Sequence, residues 1–284
     1  MHKVNYGLKD ENYKLAKELI EQEYYLDAIK ILQKLHKNHS DSHSLKFALA
    51  LAWADSDISL DRAEKYFQKI IKDDGRLADI SRIELSRILL RKREYTKARE
   101  NLECAVKYKK LKLYASSELL YLAIREEKYE EAYMLYKEIM NQDRDYFKPP
   151  RKAQIETYLS YKLGKNKNID SNYYFGNQLL NYNEDKAIEH IKAHLDEDDG
   201  KLIHSTYLDD VNVEELYEES KIRITSMNLS AVGAVDKYRL SFDKPIGILR
   251  QEEVDAVSVI TFPNTYDILS IYPVYNPKTR VKKV

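Results

Sequence analysis

The sequence predicts a multidomain chain: an all-α solenoid of helical hairpins, followed by a small α+β domain with an antiparallel sheet. Three observations predict it. Alanine recurs at Ala28, Ala63, Ala98 and Ala132, at spacings of 35, 35 and 34 residues. All six prolines and five of the seven glycines lie after residue 148. From residue 221 onward the apolar pattern shifts from a helical period toward alternation.

The ladder carries its neighbours with it. Tyr25, Leu60, Tyr95 and Tyr129 stand three residues before the alanines, and Leu32, Phe67, Leu102 and Tyr136 stand four after. Seven after stand Leu35, Ile70, Ala105 and Ile139. A period of this length is that of stacked helical repeats. The small residue lets two helices approach closely, and the residues four and seven later share its face. One hairpin cannot bury that face, so the next repeat covers it. The repeats fall near 10–40, 43–75, 78–109 and 112–142. In the first, Asn12–Gln22 and Leu26–Lys37 are the expected helices. Pro149-Pro150 interrupts the pattern, and a further helix over 151–163 caps it. The polar run 164–172 reads as a linker, giving domains 1–165 and 173–284.

In the second domain, helices are expected near 183–196 and 211–221. Strands are expected near 221–226, 236–242, 254–262 and 267–273, where β-branched and aromatic residues concentrate between turn residues such as Pro245, Pro263 and Asn264.

Roughly residues 10–145 resemble the tetratricopeptide repeat. Tyr95, Ala98, Leu102 and Ala105, and again Tyr129, Ala132 and Tyr136, match its aromatic, small and bulky positions. Two departures stand out: the closing proline is absent, and Glu23, Ile58, Arg93 and Glu127 replace the usual glycine before the second helix. The resemblance implies a groove, lined by the first helix of each repeat, that binds peptides. The matching positions include Tyr13, Lys17, Arg87, Arg91, Tyr114, Tyr121 and Arg125. Four cations and three tyrosines suit an acidic or carboxylate-bearing peptide; the bland alternative is a set of solvated helix residues.

His190 and His194 lie four residues apart on the 183–196 helix, and His204 follows. Three readings stay open: a zinc pair, general acid–base chemistry, or no chemistry. The metalloprotease form of the pair needs Glu where Ile191 stands. A helix carrying the two histidines, then Asp236-Lys237-Tyr238-Arg239-Leu240, then a strand closing on Ile271-Tyr272-Pro273, resembles the barnase–EndoU–colicin–RelE group of toxin ribonucleases. That resemblance implies a metal-independent endoribonuclease, with His190, His194, His204, Tyr238, Arg239 and Tyr272 in acid–base and phosphate-contact roles. The acidic run Asp196–Asp199 opposes it by repelling phosphate. The basic tail (Lys278, Arg280, Lys282, Lys283) either steers RNA or is simply solvated.

The remaining composition excludes more than it selects. Lys+Arg and Asp+Glu both number 47, so no global field favours nucleic acid or membrane. No apolar stretch of about 18 residues occurs, so a cytoplasmic protein is expected. The single cysteine, Cys104, excludes an intramolecular disulfide and is expected as a small buried thiol. No glycine-rich phosphate loop and no serine elbow is present, and no cofactor or metal is implied. The expected partner is a protein or peptide, with RNA at the second domain as the alternative.

Overall fold

The computed structural model describes residues 10–73, 77–165, 169, 174–193, 205–250 and 252–281. The repeat reads directly into helices, in four consecutive pairs. These are α1 (Glu11–Glu21) with α2 (Tyr25–Asn38), α3 (His43–Asp55) with α4 (Leu60–Lys72), α5 (Ala78–Arg91) with α6 (Tyr95–Ala105), and α7 (Lys112–Arg125) with α8 (Tyr129–Gln142). Each second helix opens on the Tyr or Leu that precedes the ladder alanine. The four alanines are fully buried, as are Leu32, Phe67 and Leu102. Each such Leu or Phe stabilises the fold by roughly 1.5–3 kcal/mol.

The turns explain how the repeat closes without glycine. Glu23, Asp57, Arg93 and Glu127 all hold a left-handed backbone, with φ of 64°, 58°, 61° and 59°. In the first turn Tyr24 N–H donates to the Leu19 carbonyl and in the fourth Lys128 N–H donates to that of Ala123, the six-to-one bond of a helix C-terminus. The second turn uses Asp57 where the repeat alignment points to Ile58. A β-branched residue is poorly tolerated at positive φ, and the turn is accordingly one residue longer.

α9 (Pro149–Lys162) starts on the two prolines, which occupy its first two positions, where a missing N–H is least costly. Cys104 is exposed, contrary to expectation. On α6 the buried face is Ala98, Leu102 and Ala105, and position 104 points away from it.

The rest of the chain is α+β: α10 (Tyr174–Leu180), α11 (Glu184–Lys192), β1 (Ser205–Tyr207), α12 (Val213–Ile224), β2 (Ala231–Val232), β3 (Asp236–Ser241), β4 (Gly247–Leu249), β5 (Glu252–Val254), β6 (Ala256–Thr261) and β7 (Ile268–Val274). Among the described residues two antiparallel sheets form, in the orders β1-β4-β5 and β2-β3-β6-β7. The expected strand at 221–226 is instead the end of α12. Asn212 caps that helix, and Tyr217, Ser220 and Ile224 bury one helical face. Ile222 is left 72% exposed, which alternation toward a sheet would not produce.

By contacts the chain divides into two compact units, Met1–Leu89 with Thr96–Ala115 and Asn276–Val284, and Leu90–Tyr95 with Ser116–Tyr275. In the first, the Arg280 guanidinium donates to the Gln22 carbonyl at 2.8 Å and lies 4.2 Å from the Tyr24 ring centroid. Part of the expected basic tail therefore packs on the α1–α2 turn; Lys282 and Lys283 lie outside the described residues. In the second unit, Ala187 and Ile191 of α11 and Val213, Leu216, Tyr217 and Ile224 of α12 cover one face of the four-stranded sheet. Tyr238, Leu240, Val257, Val259 and Ile271 supply that face.

Candidate functional site

The seven groove positions are divided between the units. In the first, Tyr13 is 4% exposed and belongs to the core, where burial raises its pKa. Lys17 is half-buried. Arg87 donates to Glu84 at 3.0 Å and to the Tyr114 hydroxyl at 3.3 Å, while Tyr114 donates to the other Glu84 oxygen at 2.9 Å. Two of the expected groove residues thus meet, joined through an acid one turn before Arg87 on α5.

In the second unit Arg91 and Arg125 occupy equivalent places, each seven residues before a ladder alanine and last in its helix. Both are buried. Arg91 Nε donates to the Leu229 carbonyl at 2.8 Å, and Leu229 N–H donates back to the Arg91 carbonyl at 3.4 Å. Arg125 donates to the Gly233 carbonyl at 2.6 Å and forms an ion pair with Asp236. Asn264 completes the cluster, its side chain donating to the Arg125 carbonyl and its backbone N–H to Asp236, both at 3.0 Å. Arg93, on the α5–α6 turn, donates to the Tyr238 hydroxyl at 3.3 Å. Tyr121 is buried beside the Phe147 ring, and burial pushes its hydroxyl up to about 12.

The two helix-end arginines therefore grip residues 229–236, which fold back as the β2–β3 hairpin, by two carbonyls and a carboxylate. The sequence placed Asp236 in a strand motif and Asn264 and Arg93 in turns, with no sign that they meet here. The usable signal was the 34-residue spacing of Arg91 and Arg125, which marks two cations at one repeat position.

The ribonuclease-type set is distributed differently. Tyr238 points into the helix-covered face, where burial raises its hydroxyl to about 12. Arg239 pairs in register with Ser258, and Ser258 with Tyr272, so these three share the opposite face. Lys237 joins them, its ammonium 3.5 Å from the Tyr272 hydroxyl. His190 stacks on Tyr174 at 4.1 Å, on the helix that packs against the other face. The sheet brings Arg239 and Tyr272 together and keeps His190 and Tyr238 away from them. His194 and His204 lie outside the described residues.

A cleft of about 450 Å³ opens at the α8–α9 connection, lined by Arg144, Lys148 and Lys152 with Asp145, Phe147 and Glu156. Among the described residues no helix is long and apolar enough to cross a membrane, and no group of three His, Cys, Asp or Glu side chains is placed to hold a metal.

Fold and site together define a class: a helical-repeat array followed by an α+β domain, with repeat-position arginines that hold the β2–β3 hairpin. No protein-family model matches the chain, and neither does any curated protein.

Proposed function

We propose that the protein is an interaction protein of tetratricopeptide-repeat type, whose first-helix face takes a carboxylate-bearing peptide. One observation supports this most: Arg125 holds the Asp236 carboxylate and the Gly233 carbonyl together. Charge-assisted bonds to a carboxylate, combined with backbone carbonyl contacts, let a cationic helix face hold an acidic segment of chain. In the second unit the chain itself supplies that segment. The surface for a partner is then in the first unit, around Lys17, Arg87 and Tyr114, where the Arg87 side chain is 44% exposed.

Charge reversal at Lys17 and Arg87 tests this without disturbing the buried arginines. The Lys17→Glu, Arg87→Glu variant is expected to lose a directly bound acidic partner, identified by crosslinking and mass spectrometry, while melting like the parent. Unchanged recovery of every crosslinked partner refutes the reading.

The polar sheet face carrying Lys237, Arg239 and Tyr272 favours a second reading, a metal-independent ribonuclease governed by the repeats. Incubating the same preparations with RNA in a chelator separates the two, since only the second predicts cleavage that Arg239→Ala abolishes.

A further inference from the structure

On α8, Tyr129, Tyr133 and Lys137 follow at four-residue steps and form one stripe. The end of α9 lies beside it, with the Tyr129 and Tyr158 rings 6.3 Å apart. Lys162 sits 5.5 Å from the Tyr129 ring, 5.6 Å from Tyr158 and 5.9 Å from Tyr161. The Tyr133 ring has two ammonium groups, Lys165 at 4.6 Å and Lys137 at 5.5 Å. These five contacts join three lysines to four tyrosine rings between residues 129 and 165.

The three lysines are exposed, and none forms an ion pair among the described residues. A ring face attracts an ammonium group but does not neutralise it. The hairpin therefore presents unneutralised charge and aromatic surface at the same place. Carboxylates of a peptide would answer the charge alone. A single-stranded nucleic acid answers both, with phosphates on the ammonium groups and bases on the rings the lysines release. Glu127 and Glu130, which flank Tyr129 in sequence, limit the net field, and the lysine–phosphate contacts make binding depend on salt.

We propose that this tyrosine–lysine face of the α8–α9 hairpin binds single-stranded nucleic acid without sequence preference. The site is separate from the carboxylate-binding face and stands or falls independently of it.

The test is fluorescence anisotropy of a labelled oligothymidylate of about 20 nucleotides, titrated with the whole chain at about 50 mM salt. Saturable binding is expected, with a log–log salt slope of about −2 from three neutralised phosphates. The Lys137→Glu, Lys162→Glu, Lys165→Glu variant should weaken it about tenfold or more. Tyr133→Ala with Tyr161→Ala should weaken it about fivefold or more, while Tyr133→Phe with Tyr161→Phe, which keeps the rings, retains it. Thermal melts of each variant should match the parent. Absence of saturable binding overturns the proposal, as does binding that the lysine variant retains. Binding that ignores the tyrosine changes and is displaced equally by polyglutamate also overturns it, because the surface then recognises polyanions alone.

Discussion

Arg125 carries a permanent charge on a side chain 1% exposed, and Asp236 opposes it at 3%. Removing water from two charges costs several kcal/mol per ion, which their attraction and surrounding hydrogen bonds must offset. Here Gly233 and Asn264 supply those bonds. Breaking the pair from one side should therefore cost far more than the pair itself contributes. Arg125→Leu is expected to lower unfolding free energy by about 3–5 kcal/mol in urea titrations, with Arg125→Leu, Asp236→Leu recovering most of it. A double variant as unstable as the single one would show that Arg125 acts through other contacts. The repeat period placed Arg91 and Arg125 on equivalent positions, and so made the site's cations legible. Asp236 was not legible as their partner, because no local pattern relates residues 111 positions apart. Its neighbours Lys237, Tyr238 and Arg239 drew attention for another reason.

At the scale of elements, β7 is the outer strand of its sheet among the described residues, and an outer strand presents unpaired carbonyls that invite another strand. Tyrosine hydroxyls close it. Tyr182 donates to the Ile268 carbonyl at 3.2 Å, Tyr174 to Leu269 at 2.7 Å and Tyr207 to Ile271 at 2.6 Å. Tyr207→Phe should cost about 1–3 kcal/mol by leaving a buried carbonyl unpaired. Combined with Tyr174→Phe, it should raise concentration-dependent self-association in sedimentation, and a doubly substituted chain that stays monomeric would show that the hydroxyls do not guard this edge. Alternation was long enough to reveal β3, β6 and β7. The three-residue strands β1, β4 and β5 are too short to show any period. The segment Lys221–Ile224 misled because its β-branched residues suit a strand, while burial of Tyr217, Ser220 and Ile224 at helical spacing prevailed.

Across the whole molecule, 24 tyrosines give the fold a dependence on alkaline pH. Burial raises Tyr121, Tyr174 and Tyr238 to about 12, and raises Tyr13, Tyr95, Tyr146 and Tyr182 in the same direction. In the unfolded chain the same phenols ionise near 10.0. A folded pKa above the unfolded one means that the native state keeps its proton more tightly. That stabilisation is present in full below pH 10 and lost as pH climbs toward 12. Tyrosinate absorbance should accordingly rise in two stages, exposed rings first and the buried set together with loss of the far-ultraviolet helix signal; a single smooth titration with helix intact above pH 12 contradicts this. Part of this was foreshadowed by the repeat, which places Tyr95, Tyr129 and Tyr136 at recurring positions where burial raises their pKa, whereas the tyrosines sealing β7 depend on contacts that no period announces.

The Arg125–Asp236 pair also sets an order of events during synthesis. α7 leaves the ribosome before β3 exists, and at about 5–20 residues per second the intervening chain takes roughly 6–22 s to appear. Until then the guanidinium stays hydrated, and the end of the fourth hairpin cannot settle into its final packing. The nascent helices wait for the sheet, and a ribosome that stalls between the two releases a chain with an unpaired charge at the place where its partner should dock.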